Sequence, residues 1–142
     1  MNTSLDIRRV TDEVSVAPQI RPEDIPAIVA AGFRSIVCNR PDGEDPGQAT
    51  FAEIDAAASA AALETRMMPV VSREECAMGA EGFGKLLEAL PKPVLAYCRT
   101  GTRCAILWAL SQKGARPTEE IIEATRAAGY DLAPLLDARP GA

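Results

Sequence analysis

The segment Tyr97-Cys98-Arg99-Thr100-Gly101-Thr102-Arg103-Cys104 brings thiols, a glycine and two arginines together in one short stretch. It follows the apolar run Pro93-Val94-Leu95-Ala96 and precedes Ala105-Ile106-Leu107-Trp108-Ala109-Leu110, a pattern that reads as strand, loop, helix. Amides at a helix N-terminus lack intrahelical acceptors, and the helix dipole adds positive potential there, so such a loop binds anions. Gly101 can take a positive φ and let the loop curl until several N–H groups point inward. Those amides, the dipole and Arg103 all stabilise a negative sulfur, which predicts a lowered pKa for Cys98. The chemistry on offer is nucleophilic attack by the Cys98 thiolate on an anionic substrate. The competing reading makes Cys98 a small hydrophobe at the end of a buried strand.

Composition limits how that thiolate is activated. The 142 residues contain no histidine. A Ser-His-Asp triad, a Cys-His pair and a His-ligated metal are therefore excluded, and activation falls to backbone dipoles, cations or a carboxylate. The other cysteines, Cys38, Cys76 and Cys104, form no C-x-x-C pair with Cys98 or each other, which argues against structural zinc. No metal or cofactor is implied. A net charge of −5 argues against nucleic acid and anionic membrane as partners. No apolar run is long enough to span a bilayer, and Met1 to Asp6 lacks the features of a signal peptide. These features predict a cytoplasmic, reducing compartment in which the cysteines are thiols.

The elements that position the loop follow from periodicity and turn residues. Ile7–Val10 and Val14–Ala17 read as short strands around Thr11-Asp12-Glu13. Pro22-Glu23-Asp24 opens a helix that stops at Gly32. Phe33–Cys38 is a buried strand, followed by the turn-rich loop Asn39–Gly47. Thr50-Phe51-Ala52-Glu53 is a capping box whose helix is predicted to run to about Glu64, before a strand over Met67–Val71. Ser72–Gly84 is ambiguous because its glycines dilute any helix, and Lys85–Leu90 is helical. Val94–Cys98 is the strand beneath the loop, and the helix after it ends near Lys113-Gly114. Pro117-Thr118-Glu119-Glu120 starts a helix ending near Gly129, and Asp131–Asp137 adds a short one. The prediction is one α/β domain over 1–142: three layers, a mainly parallel sheet of four to five strands, and helices on both faces. In such sheets ligands bind beyond the C-terminal strand ends, where Cys98 and the Asn39–Gly47 loop both fall.

Val94 to Arg103, together with Ser15-Val16-Ala17-Pro18-Gln19-Ile20 and Asn39-Arg40-Pro41-Asp42-Gly43-Glu44, resembles the phosphatase-like domain of beta-lactamase hydrolase-like proteins. The resemblance covers almost the whole chain and implies a fold like that of dual-specificity tyrosine phosphatases. It implies either phosphatase or persulfide-forming sulfurtransferase activity. A tyrosine phosphatase has His-Cys-x5-Arg and a separate aspartate as general acid; here Tyr97 precedes Cys98 and the spacing is Cys-x4-Arg. The loop matching the one that carries the phosphatase acid reads Ser72-Arg73-Glu74-Glu75, without aspartate. The short loop also resembles the active loop of rhodaneses. An alkoxide leaving group needs protonation, whereas sulfite or a thiolate needs little. On these grounds the sequence favours a sulfurtransferase: Cys98 attacks an anionic sulfane donor, carries a persulfide, and passes sulfur to an acceptor thiol. A cysteine-dependent phosphatase with Asp42 or Glu74 as acid is the second reading, and a non-enzymatic thiol sensor or anion-binding module the third.

Within this scheme Arg99, Thr100, Gly101, Thr102 and Arg103 bind the anion, and Cys98 and Arg103 carry the catalysis. Arg99 draws anionic donors or is a solvated surface arginine. Arg40 pairs with the donor, and Asp42 substitutes for the missing acid or serves the Pro41-Asp42-Gly43 turn. Cys104 replaces a Ser or Thr common in the family; it donates to the thiolate, resolves an oxidised Cys98, or simply packs inside the helix.

Overall fold

The computed structural model describes residues 5–136. Its five-stranded sheet has β1 (Arg8–Arg9), β2 (Val14–Ala17), β3 (Ser35–Cys38), β4 (Glu64–Met67) and β5 (Val94–Tyr97), in the spatial order β1-β2-β5-β3-β4. Only β1 runs antiparallel. β5 lies between β2 and β3, pairing Tyr97 with Ala17 on one side and Cys38 on the other. The three inner strands are buried along their full length, as parallel strands covered on both faces must be.

A 3-10 turn (Pro22–Asp24), α1 (Ile25–Ala30) and α2 (Phe51–Ala60) cover one face, where Ile20, Ile28, Ile36, Ile54, Leu95 and Tyr97 pack together. The opposite face carries α3 (Arg73–Ala89), α4 (Thr102–Ser111), α5 (Thr118–Ala127) and α6 (Ala133–Leu136). Phe83, Leu107, Trp108 and Ile121 fill that second core with Val16, Val37 and Ala96. The end of the predicted Asp131–Asp137 helix, like Met1–Ser4, falls outside the described residues.

Three elements, α2, β4 and α3, differ from the sequence reading. The capping box at Thr50 is present, with Glu53 N–H donating to Thr50 Oγ1 (3.2 Å) and Thr50 N–H to Glu53 Oε1 (2.9 Å). Its helix nevertheless ends at Ala60, because Ala62 turns into the left-handed region at φ 67° and the chain enters β4 at Glu64 rather than Met67. β4 is an edge strand with largely exposed side chains, so it carries no apolar signature. The ambiguous Ser72–Gly84 stretch is one continuous helix with Ser72 as its N-cap, accepting from Glu75 N–H (3.1 Å). Its glycines allow a close approach: a Cβ at Gly79 would lie 2.8 Å from Met68 Cε, and one at Gly84 would lie 3.4 Å from Ser111 Cβ on α4. Tertiary packing outweighs the propensity cost of glycine in the helix interior.

Candidate active site

Strand β5 delivers Cys98 to the C-terminal edge of the sheet, at the point where chain order reverses on either side of it. Gly101 is the N-cap of α4 and takes φ 91°, which folds the loop back over the sulfur. Gly101 N–H donates to Cys98 Sγ at 3.1 Å. The Cys98 thiol is drawn down from 9.0 to about 6: the facing Cys104 thiol is the largest cause, burial opposes it, and the amides of Cys104, Thr100 and Gly101 add to the lowering. Arg103 is not among those leading causes. Loop amides are thus among the causes, as the sequence predicts, and Cys104 leads them.

The other three cysteines surround this one as neutral thiols. Burial pushes Cys104 well above its usual range, and the charge and hydrogen bond of Cys98 push it the same way. Burial likewise raises Cys38, whose Sγ donates to Arg40 O (3.2 Å), and Cys76, which lies 3.9 Å from Arg103 O. Tyr97 points to the opposite face of the sheet, into the core with Cys38 and Leu95, as strand alternation requires.

Arg103 extends from the first turn of α4 toward the loop after β3. Its Nη2 donates to Glu44 Oε1 (3.0 Å) and its Nη1 to Val70 O (3.0 Å). The same Glu44 oxygen accepts from Arg40 Nε (2.7 Å). The two guanidinium groups hold the Glu44 carboxyl below the usual carboxylate range, although burial acts against them. Arg40 is buried and fully engaged: besides Glu44 it donates to Asp45 Oδ2 (2.6 Å) and Gln19 Oε1 (2.8 Å). It therefore builds the loop rather than facing the mouth. Gln48 closes this loop, accepting from the Glu44 and Asp45 amides and donating to Pro41 O.

The remaining sequence candidates separate. Arg99 is exposed at the rim, with Nε 3.4 Å from Asp45 Oδ2. Thr100 and Thr102 bond to each other through their hydroxyls (3.0 Å). Asp42 Oδ1 accepts the Phe51 amide at the start of α2 (2.8 Å), so it caps that helix, and its place in the acid role has no support from this geometry. The segment Ser72-Arg73-Glu74-Glu75, read from sequence as a loop without aspartate and with Glu74 as an alternative acid, is instead the N-cap and first turn of α3: Glu75 accepts the Val71 amide (2.7 Å), and Glu74 is exposed.

Sequence reasoning missed Glu44 and Tyr130. Glu44 lies in a loop that the sequence places at the right end of the sheet, and Arg40 four residues before it is the available signal. Tyr130, whose hydroxyl donates to Thr100 O (3.1 Å), has no local spacing that links it to the loop.

Residues 6–115 match the family model for the beta-lactamase hydrolase-like protein, phosphatase-like domain. The beta-lactamase hydrolase-like protein of Agrobacterium fabrum is 31% identical over 126 residues; the match covers 87% of this chain but only 29% of that protein. A Neisseria meningitidis structure provisionally named a phosphatase is 34% identical, with a TM-score of 0.83 and coverage of 93% and 94% of the two chains. A mouse protein provisionally named a dual-specificity phosphatase shares the fold at a TM-score of 0.67, with 15% identity and coverage of 99% and 82%. No described helix is long and apolar enough to cross a membrane.

Proposed function

The chain belongs to the phosphatase-like domain family of beta-lactamase hydrolase-like proteins, and from that premise we propose that it is a cysteine-dependent phosphatase acting through Cys98. The observation that carries this reading is the contact between Gly101 N–H and Cys98 Sγ at a helix N-terminus, around a sulfur that ionises near pH 6. The thiolate attacks phosphorus, the P–O bond to the leaving group breaks, and a cysteinyl-phosphate forms. Water then attacks that phosphorus, releasing phosphate and restoring the thiolate. The amides of Arg99 to Arg103 receive the non-bridging oxygens, and Arg103 supplies the cation. The phosphatase name of the Neisseria meningitidis relative supports phosphorus over sulfur, reversing the preference drawn from the sequence.

The acidic groups at the mouth set the substrate range. Glu44 lies between two guanidinium groups and is ionised, Asp45 is paired with Arg40 and Arg99, and Asp42 caps α2. Glu44 is held as a carboxylate and the other two are engaged in bonds of their own, so none is placed to protonate a departing alkoxide, and the preferred esters are those with good leaving groups, such as aryl phosphates.

That same lack of an acid, together with the Cys-x4-Arg spacing, favours a second reading. Here Cys98 takes the outer sulfur of thiosulfate or a persulfide, releases sulfite or a thiolate, and yields the sulfur to an acceptor thiol. Both readings need a reduced Cys98, in keeping with a cytoplasmic setting, and both take a small anionic substrate. The deciding experiment compares turnover of an aryl phosphate and of thiosulfate by wild type and Cys98→Ser. Faster Cys98-dependent phosphate release supports the phosphatase; faster sulfur transfer replaces it with the second reading.

A further inference from the structure

We propose that Tyr130 is a positioning residue for the Cys98 thiolate, acting through the one peptide group that joins Thr100 to Gly101. The Tyr130 hydroxyl donates to the Thr100 carbonyl oxygen at 3.1 Å. The N–H at the other end of that same peptide, belonging to Gly101, donates to Cys98 Sγ at 3.1 Å. Because the peptide is planar, holding its oxygen fixes where its N–H points. A hydrogen bond accepted by the carbonyl also polarises the unit and makes its amide a stronger donor. The tyrosine thus acts on the sulfur from beyond the loop, without touching it.

Packing holds the pair in register. A Cβ on Gly101 would stand 2.2 Å from the Tyr130 hydroxyl and 3.5 Å from the Ala17 carbonyl carbon, so the loop is pressed between the tyrosine and β2 at a residue that must be glycine. Tyr130 is held in turn: its amide donates to Thr125 O (2.8 Å), and the Arg8 guanidinium lies 5.9 Å from its ring centroid while Nη1 binds Ala128 O (3.2 Å). Burial raises the phenol pKa, keeping the hydroxyl protonated as a donor. The preceding loop peptide has a matching brace, since Gln19 N–H donates to Arg99 O (3.4 Å) and the Thr100 amide also turns toward Cys98. That brace is backbone; the one from Tyr130 is a side chain, and substitution can remove it. Residue 130 also lies beyond the residues matched by the family model.

This inference rests on Cys98 being the thiolate nucleophile, and is independent of whether phosphorus or sulfur is attacked. It is tested by the pH dependence of Cys98 alkylation by iodoacetamide, read by peptide mass, in wild type and Tyr130→Phe. Phenylalanine keeps the ring against the loop and deletes only the hydroxyl. Wild type is expected to inflect near pH 6 and Tyr130→Phe higher, with alkylation below the inflection slowed about two- to threefold. Placing 3-fluorotyrosine at 130, a stronger donor, is expected to move the inflection the other way, and this arm stands even if the phenylalanine variant does not fold. Superimposable profiles in the folded variants overturn the role of Tyr130 while leaving the nucleophile in place. A wild-type inflection in the ordinary thiol range overturns both.

Discussion

The Cys104 thiol faces Cys98, and the two sulfurs ionise in opposite directions: Cys98 near 6, and Cys104 well above the usual thiol value. A neutral thiol beside a thiolate is a donor beside an acceptor. Hydrogen bonds to charged groups contribute about 1.5–3 kcal/mol, which corresponds to about one to two pKa units. Cys104→Ala should therefore raise the alkylation inflection of Cys98 by about one unit. Cys104→Ser, which restores a stronger donor, should hold or lower it. No difference between the two variants would make Cys104 only a packing residue.

The pH dependence of stability follows from the same sulfur. Its folded pKa, about 6, lies below the ordinary 9.0 expected of the unfolded chain. The unfolded state then binds more protons between those values, so the contribution of Cys98 is full above about pH 9 and vanishes as pH falls through 6. Denaturation of wild type and Cys98→Ser at several pH values should show a stability difference that shifts in favour of wild type from pH 6 to 9. A difference that is flat with pH would mean the thiol is not ionised in the fold.

Asp42 separates a structural carboxylate from a catalytic one. As the acceptor of the Phe51 amide it stabilises the start of α2, and Asp42→Ala should cost about 1 kcal/mol, lowering Tm by about 4 °C. Aryl phosphate turnover below the unfolding range should stay within about twofold of wild type. A much larger loss of turnover at unchanged KM would return Asp42 to the role of general acid.

The leaving group offers a related check. With Glu44 held as a carboxylate and Asp42 and Asp45 engaged in other bonds, phosphate release should fall steeply across esters of rising leaving-group pKa. The rate should also hold level above its acid limb near pH 6, instead of forming a bell. A bell-shaped profile with equal rates for aryl and alkyl esters would reveal an acid that the geometry does not supply.

Much of this was readable in the chain because it was local. Cys98, Gly101 and Arg103 share one strand-to-helix junction, and the capping box at Thr50 and the stop at Gly32 obey short-range rules. What escaped was set by tertiary contacts. Ala62 adopts a left-handed conformation that glycine usually takes, shifting β4 from its predicted position, and the exposed edge strand has no periodicity to betray the error. The glycines of α3 discourage a helix until α4 is seen packed against them. Asp42 fits both a turn and an acid in sequence, and its bond to the Phe51 amide nine residues on follows no spacing rule. Glu44 and Tyr130 reach the loop from 59 and 30 residues away, where no spacing rule applies.

Cys98 Sγ is the proposed acceptor of the transferred group, and mass spectrometry of the quenched protein and its peptides tests that role most directly. Wild type mixed with an aryl phosphate should gain the mass of one phosphoryl group on the peptide containing Cys98, and Cys98→Ser should gain nothing. A wild-type mass unchanged by both aryl phosphate and thiosulfate, or the same adduct on Cys98→Ser, would contradict the account.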